Sequence, residues 1–163
     1  NIIHFDAHAD LRKEYIGETL SHASVIRRCH ELTGDGRIFQ FGIRSGDRSE
    51  FIWNRAGHTK MQMYNTEGLS EVIESLSGKP VYLTVDLDVL DPAVLPGTGT
   101  PEAGGIGFDE LRCAVTSVCL GCCTVGCDVV ELSPAIDTSG VSTATAGKLV
   151  REMLIALNCI KGE

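Results

Sequence analysis

Between Val81 and Pro101 the chain reads VYLTVDLDVLDPAVLPGTGTP, and few architectures accommodate such a run. Val81 to Val85 is almost continuously apolar, the pattern of a strand buried on both faces, as in a parallel sheet. Asp86 and Asp88 follow, and Pro92, Pro96, Gly97, Gly99 and Pro101 then impose a loop that is neither helix nor strand. Carboxylates where a buried strand ends are costly unless something positive compensates them. Residues at i and i+2 of a strand point the same way, which makes a divalent cation the natural partner for Asp86 and Asp88. A D-x-D pair standing alone more often means solvated acids; what tips the balance is the start of the sequence.

The first ten residues, NIIHFDAHAD, form a short apolar strand that turns polar at its end. Asp6, His8 and Asp10 share parity, so a strand continued that far would present all three on one side. Two hard oxygen donors around an imidazole are a ligand set for one centre. His4 has the same parity but lies deeper, as a hydrogen-bonded structural histidine. The sequence starts directly on this strand, without an initiator Met, as expected of a piece of a longer protein.

Ser21 is an N-cap for a helix over His22 to Leu32, with Val25, Ile26, Cys29 and Leu32 on the inward stripe. His22 then sits at a helix start beside the loop leaving the D-x-H-x-D triplet. Arg37 to Ile43 reads as the next strand, Phe51 to Thr66 is weakly patterned apart from a short strand at Met61 to Tyr64, and Trp53 is a packing residue. Leu69 to Leu76 is helical. Phe108 to Leu120 is an amphipathic helix capped by Asp109, with Leu111, Val115 and Val118 facing in. Thr124 to Val130 is an apolar strand ending on Glu131, and Ser142 caps a last helix with Ala146, Leu149, Val150, Met153, Leu154 and Leu157 buried. The alternation predicts a mostly parallel sheet with helices on both sides, one domain over residues 1–163. In such sheets the site lies at the carboxyl ends of the strands, where three strands here carry acids: Asp6/His8/Asp10, Asp86/Asp88 and Glu131.

A net charge of −8 without a Lys/Arg cluster excludes a nucleic-acid surface and is compatible with metal ions or a cationic substrate. No apolar run approaches the roughly 20 residues of a membrane span. Seven cysteines, five of them between Cys113 and Cys127, include a C-x-x-C at Cys119 and Cys122. No second pair with a histidine completes a zinc site, so these read as packed, reduced thiols of a cytoplasmic protein.

These segments resemble the ureohydrolase family, the arginases and agmatinases. D-A-H-A-D at Asp6 to Asp10 is similar to the family's first metal motif. V-D-L-D-V-L-D-P at Val85 to Pro92, with P-G-T-G-T-P-E-A-G-G at Pro96 to Gly105, is similar to its second, and V-E-L-S-P at Val130 to Pro134, with Asp137 following, to its C-terminal motif. Ser21-His22 followed by Arg27-Arg28 looks more like the agmatinase branch; the arginase Ser-Gly-Asn clamp is not found.

The resemblance implies a three-layer α/β/α fold of the arginase/deacetylase type, truncated at the N-terminus. It implies two Mn²⁺ ions bridged by Asp6 and Asp86, with Asp10 on one ion and His8 and Asp88 on the other. His22 would be the active-site histidine that protonates the leaving amine, Glu131 the acid that pairs with a guanidinium, and Asp91 a loop-capping acid. The implied reaction hydrolyses the guanidino group of a small cationic amine, agmatine giving putrescine and urea, through a hydroxide bridging the metals. The family's trimers or hexamers imply a homo-oligomer. One family feature is missing from the sequence: a G-G-D-H-S motif upstream of the first strand, which supplies a further metal histidine. The alternatives are another guanidino or formimino substrate, such as guanidinobutyrate, arginine or formiminoglutamate, and a catalytically silent, metal-poor subunit. Phosphoryl transfer lacks its glycine-rich cradle.

Overall fold

A computed structural model describes residues 1–159. Its strands are β1 (Ile2–Phe5), β2 (Ile38–Ile43), β3 (Lys60–Met63), β4 (Pro80–Asp86) and β5 (Cys123–Val130). They alternate with helices α1 (Val25–Thr33), α2 (Arg48–Arg55), α3 (Leu69–Ser75), α4 (Phe108–Gly121) and α5 (Val141–Cys159). All strand pairs are parallel, in the order β3-β2-β1-β4-β5. This is the mostly parallel α/β architecture that the apolar strands and their spacing predict.

The pleat sorts the core into two layers. Ile3, Phe5, Phe39, Phe41, Val81, Leu83 and Val85 face one side, packed against α3, α4 and α5 through Leu69, Leu111, Val115, Val118, Leu149 and Met153. Ile2 and Ile38 face the other, against Ile26 of α1 and the half-buried Phe51 and Trp53 of α2. Each fully buried Ile, Leu, Val or Phe contributes about 1.5–3 kcal/mol. Because α1 and α2 pack on one face and α3 to α5 on the other, the chain reverses its winding between β1 and β4. Those two strands are neighbours, with Phe5 beside Val85 in register. A crevice at the carboxyl ends of the two strands flanking such a reversal is where open α/β sheets bind ligands.

Several local expectations need correction. Both acid-bearing strands stop early: β1 at Phe5, and β4 at Asp86, after which Leu87–Val89 is a 3₁₀ turn. Shared strand parity therefore does not align Asp6, His8 and Asp10, nor Asp86 and Asp88. Arg48–Arg55 is a helix where the sequence looked unpatterned. Gly107, not Asp109, flanks the start of α4. Ser142 lies within α5; the backbone N–H groups of Val141 and Ser142 are capped instead by Ser139 Oγ and Asp137 Oδ2. Ser142 Oγ accepts from Gly97 N–H (2.8 Å), and a Cβ on Gly97 would meet Ser142 Cβ at 2.8 Å, so the proline-glycine loop approaches α5 as only glycine permits. Val25, Leu32, Val150 and Leu154 face outward, while Ala156 joins the core. Cys119 and Cys122 are buried, but Cys113, Cys123, Cys127 and Cys159 are exposed, so only some of the thiols are packed. No helix among the described residues is long and apolar enough to cross a membrane.

Candidate functional site

Beyond Phe5 the backbone folds back on itself. Ala9 N–H donates to Ser45 O, Arg44 and Ser45 N–H to Ala7 O, and Asp10 adopts a left-handed φ of +54°. A non-glycine residue held there costs about 1–3 kcal/mol and persists only where its surroundings impose it. The surroundings do so: Asp10 O accepts from Arg27 N–H of α1, and the next residue, Leu11, donates its N–H to Glu50 Oε1 at 2.7 Å. Glu50 is buried in α2 and its second oxygen accepts Asp47 N–H.

On the β4 side, Asp86 Oδ1 accepts Asp88 N–H (2.9 Å), which winds the 3₁₀ turn and returns the Asp88 carboxylate toward β1. Ala7 N–H then donates to Asp88 Oδ1 at 3.0 Å, and His8 Nδ1 lies 2.9 Å from Asp88 Oδ2. Two overlapping donor groups result: Asp6, His8 and Asp88, and His4, Asp6 and Asp10, the atoms of each lying within 4.8 Å of one another. Asp6 belongs to both. His4 supports Asp6 from below. The Gln40 amide, oriented by Ala9 O and the Thr59 hydroxyl, donates to His4 Nδ1, which leaves Nε2–H to donate to Asp6 Oδ2 at 2.8 Å.

The electrostatics are those of crowded anions. Burial, then the charges of Asp6 and Asp88, pushes the Asp86 carboxyl far above the usual carboxylate range. Burial, then Asp6, raises Asp10 to about 7. Hydrogen bonds to Asp6 and Asp88 hold the His8 imidazolium up to about 11. Asp6 goes the other way: burial would raise it, but His4 and His8 draw it below the ordinary range. Four acids with one exchangeable imidazole are a set that divalent cations neutralise, since each cation displaces protons held under strain. The oxygen-rich donors with one nitrogen suit Mn²⁺-like ions better than a thiolate-seeking metal.

A cavity of about 570 Å³ opens above these residues. Asp6, His8, Asp10, Asp86 and Asp88 line its floor, and His22 and Glu131 its walls. The exposed His22 opens a 3₁₀ turn, His22–Ser24, leading into α1, and its ring meets Tyr15 edge-on at 5.2 Å. Glu131 follows β5 in the left-handed region, φ +64°. The cavity thus gathers every candidate site residue of the sequence.

A model of the arginase family matches residues 1–156. The chain belongs to the arginase family. Among its relatives in that family, an agmatinase of Bacillus subtilis (strain 168) is 47% identical over 156 residues, which cover 94% of this chain and 54% of that protein. A guanidinobutyrase of Pseudomonas aeruginosa is 38% identical over 96% of this chain and 52% of its own length. The crystal structure of the agmatine ureohydrolase of Thermoplasma volcanium superposes with a TM-score of 0.86 at 34% identity, covering 97% of this chain and 55% of that one. The chain spans about half the length of the relatives it matches.

Functional residues that the sequence did not reveal are those that hold the arginase-family motifs in place. Glu50 and Gln40 are buried polar side chains inside a helix and a strand, and neither belongs to a ligand motif. Arg44 is another: its guanidinium donates to the carbonyls of Asp88 (2.7 Å), Glu102 (2.8 Å), Val89 (3.2 Å) and Gly42 (3.2 Å). Asp91, by contrast, was expected as a loop-capping acid and is one: it accepts the N–H groups of Ala93 and Gly104, both at 2.9 Å, and of Gly105, closing the loop between β4 and α4.

Proposed function

We propose that this chain carries the metal-holding part of an agmatinase-type hydrolase, which converts agmatine to putrescine and urea. The observation that carries the reading is the convergence of Asp6, His8, Asp10, Asp86 and Asp88 from β1 and β4 on one cavity floor. These five residues would hold two divalent cations, Mn²⁺ by family resemblance. The two donor groups share Asp6, so Asp6 would help to hold both cations, beside Asp10 in one group and His8 and Asp88 in the other. When bound, the cations would supply a water acidic enough to attack a resonance-stabilised guanidinium at neutral pH.

The chain's own residues do the rest. Glu131 offers a carboxylate to the guanidinium N–H groups, a charge-assisted contact that orients the substrate carbon over the floor. His22, exposed on the cavity wall, gives a proton to the departing amine. Glu131 lines the cavity with its backbone in the left-handed region, and strained residues of that kind cluster at functional sites. The wall also favours a cationic tail over an acidic one: Arg12 lines the cavity, but its guanidinium already lies 3.3 Å from Asp47 and 3.6 Å from Glu50.

The test is a metal count per chain on the full-length protein together with urea release from agmatine, guanidinobutyrate and arginine. Two metals with agmatine preferred supports the reading. Two metals with guanidinobutyrate preferred transfers it to a guanidino acid, and an absence of bound metal overturns it.

A further inference from the structure

A second cluster of metal-ligating side chains lies on the opposite rim of the sheet. His30 stands in the last turn of α1, Asp35 in the turn leading into β2, and His58 in the connection from α2 to β3. Both connections run at the amino ends of β2 and β3, away from the carboxyl-end cavity. His30 Nε2 lies 2.7 Å and His58 Nδ1 2.8 Å from the same Asp35 oxygen. The three donors fall within 4.8 Å of one another.

The two rings are held rather than loose. Trp53 stacks on His58 at 4.4 Å and an interplanar angle of 21°, and meets the His30 ring edge-on at 4.7 Å. Arg27 lies over the Trp53 ring at 4.0 Å. His30 is only 16% exposed, whereas Asp35 is 66% exposed and free to adjust. One carboxylate oxygen thus faces two ring nitrogens. Each nitrogen can satisfy it with a proton, or a single cation can replace both protons and be shared by all three donors.

We propose that His30, Asp35 and His58 form a separate site for one divalent transition metal, independent of the carboxyl-end centre. Two imidazoles and a carboxylate are a zinc-type set that leaves a fourth position for water. Tetrahedral bonds of about 2.0–2.1 Å place donors roughly 3.3 Å apart, so the two spacings to Asp35 need to open by about half an ångström, while the two imidazole donors already lie within 4.8 Å of each other. Asp35, the most exposed ligand, can make most of that movement. Bound there, the cation pins the α1–β2 and α2–β3 connections together, and α1 and α2 are the helices that supply the Arg27 and Glu50 contacts to the Asp10 loop.

The experiment titrates Zn²⁺ calorimetrically into chelated, reduced full-length protein carrying Asp86→Asn, which weakens the other centre. It is repeated with His58→Ala or Asp35→Asn added. Co²⁺ absorption reports tetrahedral coordination. The expected result is one Zn²⁺ per chain in the Asp86→Asn background. Its affinity should fall in either added variant by more than the roughly 10–100-fold that even outer-shell partners are worth. Asp35→Asn keeps the size and hydrogen bonding of an exposed residue, so it reads out binding even where His58→Ala disturbs folding. Zn²⁺ binding of unchanged stoichiometry and affinity in Asp35→Asn overturns the proposal, as does the absence of that equivalent from the parent.

Discussion

Asp86 is a buried carboxyl pushed far up by burial and by its neighbours' charges, which makes its role separable from packing. Asp86→Asn keeps the shape but removes one of the carboxylates proposed to hold the cations, so metal at the cavity floor and turnover should be lost together. His22, exposed on the wall, makes no hydrogen bond to the floor acids. His22→Ala should therefore leave metal content unchanged while slowing urea release by about 10²–10⁴-fold, the usual worth of a positioned proton donor. Undiminished turnover in that variant would remove His22 from the proposed mechanism. Glu50 acts at a distance from the chemistry. Glu50→Ala orphans the buried Leu11 N–H and should cost about 1–3 kcal/mol. Because Leu11 follows the strained Asp10, metal affinity should fall as well, with Glu50→Gln recovering part of both losses, measured by urea unfolding and metal titration.

Elements show where sequence reasoning reaches and where it stops. Strands β1 and β2, buried along their whole length, and β4, buried on one face, were legible from their apolar runs; β5 was read the same way although its residues are half-buried or exposed, and α4 and α5 were legible because their buried positions recur at helical spacing. Helix α2 was not legible: it is eight residues long and polar, and its inward residues are Glu50, Phe51 and the half-buried Trp53. The signal was present as Asp47-Arg-Ser-Glu50, a capping box in which each side chain accepts the other's backbone N–H. The candidate ligand residues could be read, but the geometry that unites them could not. Strand parity suggested the convergence of Asp6, His8 and Asp10, whereas returning loops achieve it, and loop closure depends on residues as remote in sequence as Arg44. That guanidinium ties the loop after β4 to the Glu102 segment through backbone carbonyls alone, which no pattern of side chains announces. Arg44→Ala should destabilise the fold by roughly 1.5–3 kcal/mol and lower metal affinity through Asp88. Arg44→Lys should rescue only partly, since an ammonium cannot span the same fork of carbonyls. Loss of stability with metal affinity intact would show that the clamp and the ligands are uncoupled.

At the scale of the whole molecule, a chain of net charge −8 places four carboxylates at the switch point of its sheet, and this sets how its stability responds to pH. In the chelated protein Asp10 keeps its proton up to about 7, and Asp86 keeps its own above the ordinary range. An unfolded chain releases both near about 3.9. His8 likewise stays protonated up to about 11, against about 6.5 when unfolded. Across the interval from about 4 to about 11 the native state therefore binds more protons than the unfolded state, and stability must fall as pH rises. Asp6, drawn below its usual value, opposes this only in more acidic solution, where its own contribution disappears. Cations reverse the relation: they bind the deprotonated donors, so their affinity, and the stabilisation that follows from binding only the native state, grows with pH. Thermal unfolding of the full-length protein, with chelator and with saturating Mn²⁺, should show a small gap in midpoint at about pH 5.5 and a much larger one at about pH 8.5. A gap that stays constant between the two pH values would mean that protons and cations do not compete for the same carboxylates, and the metal-holding role of the cavity floor would fall with it.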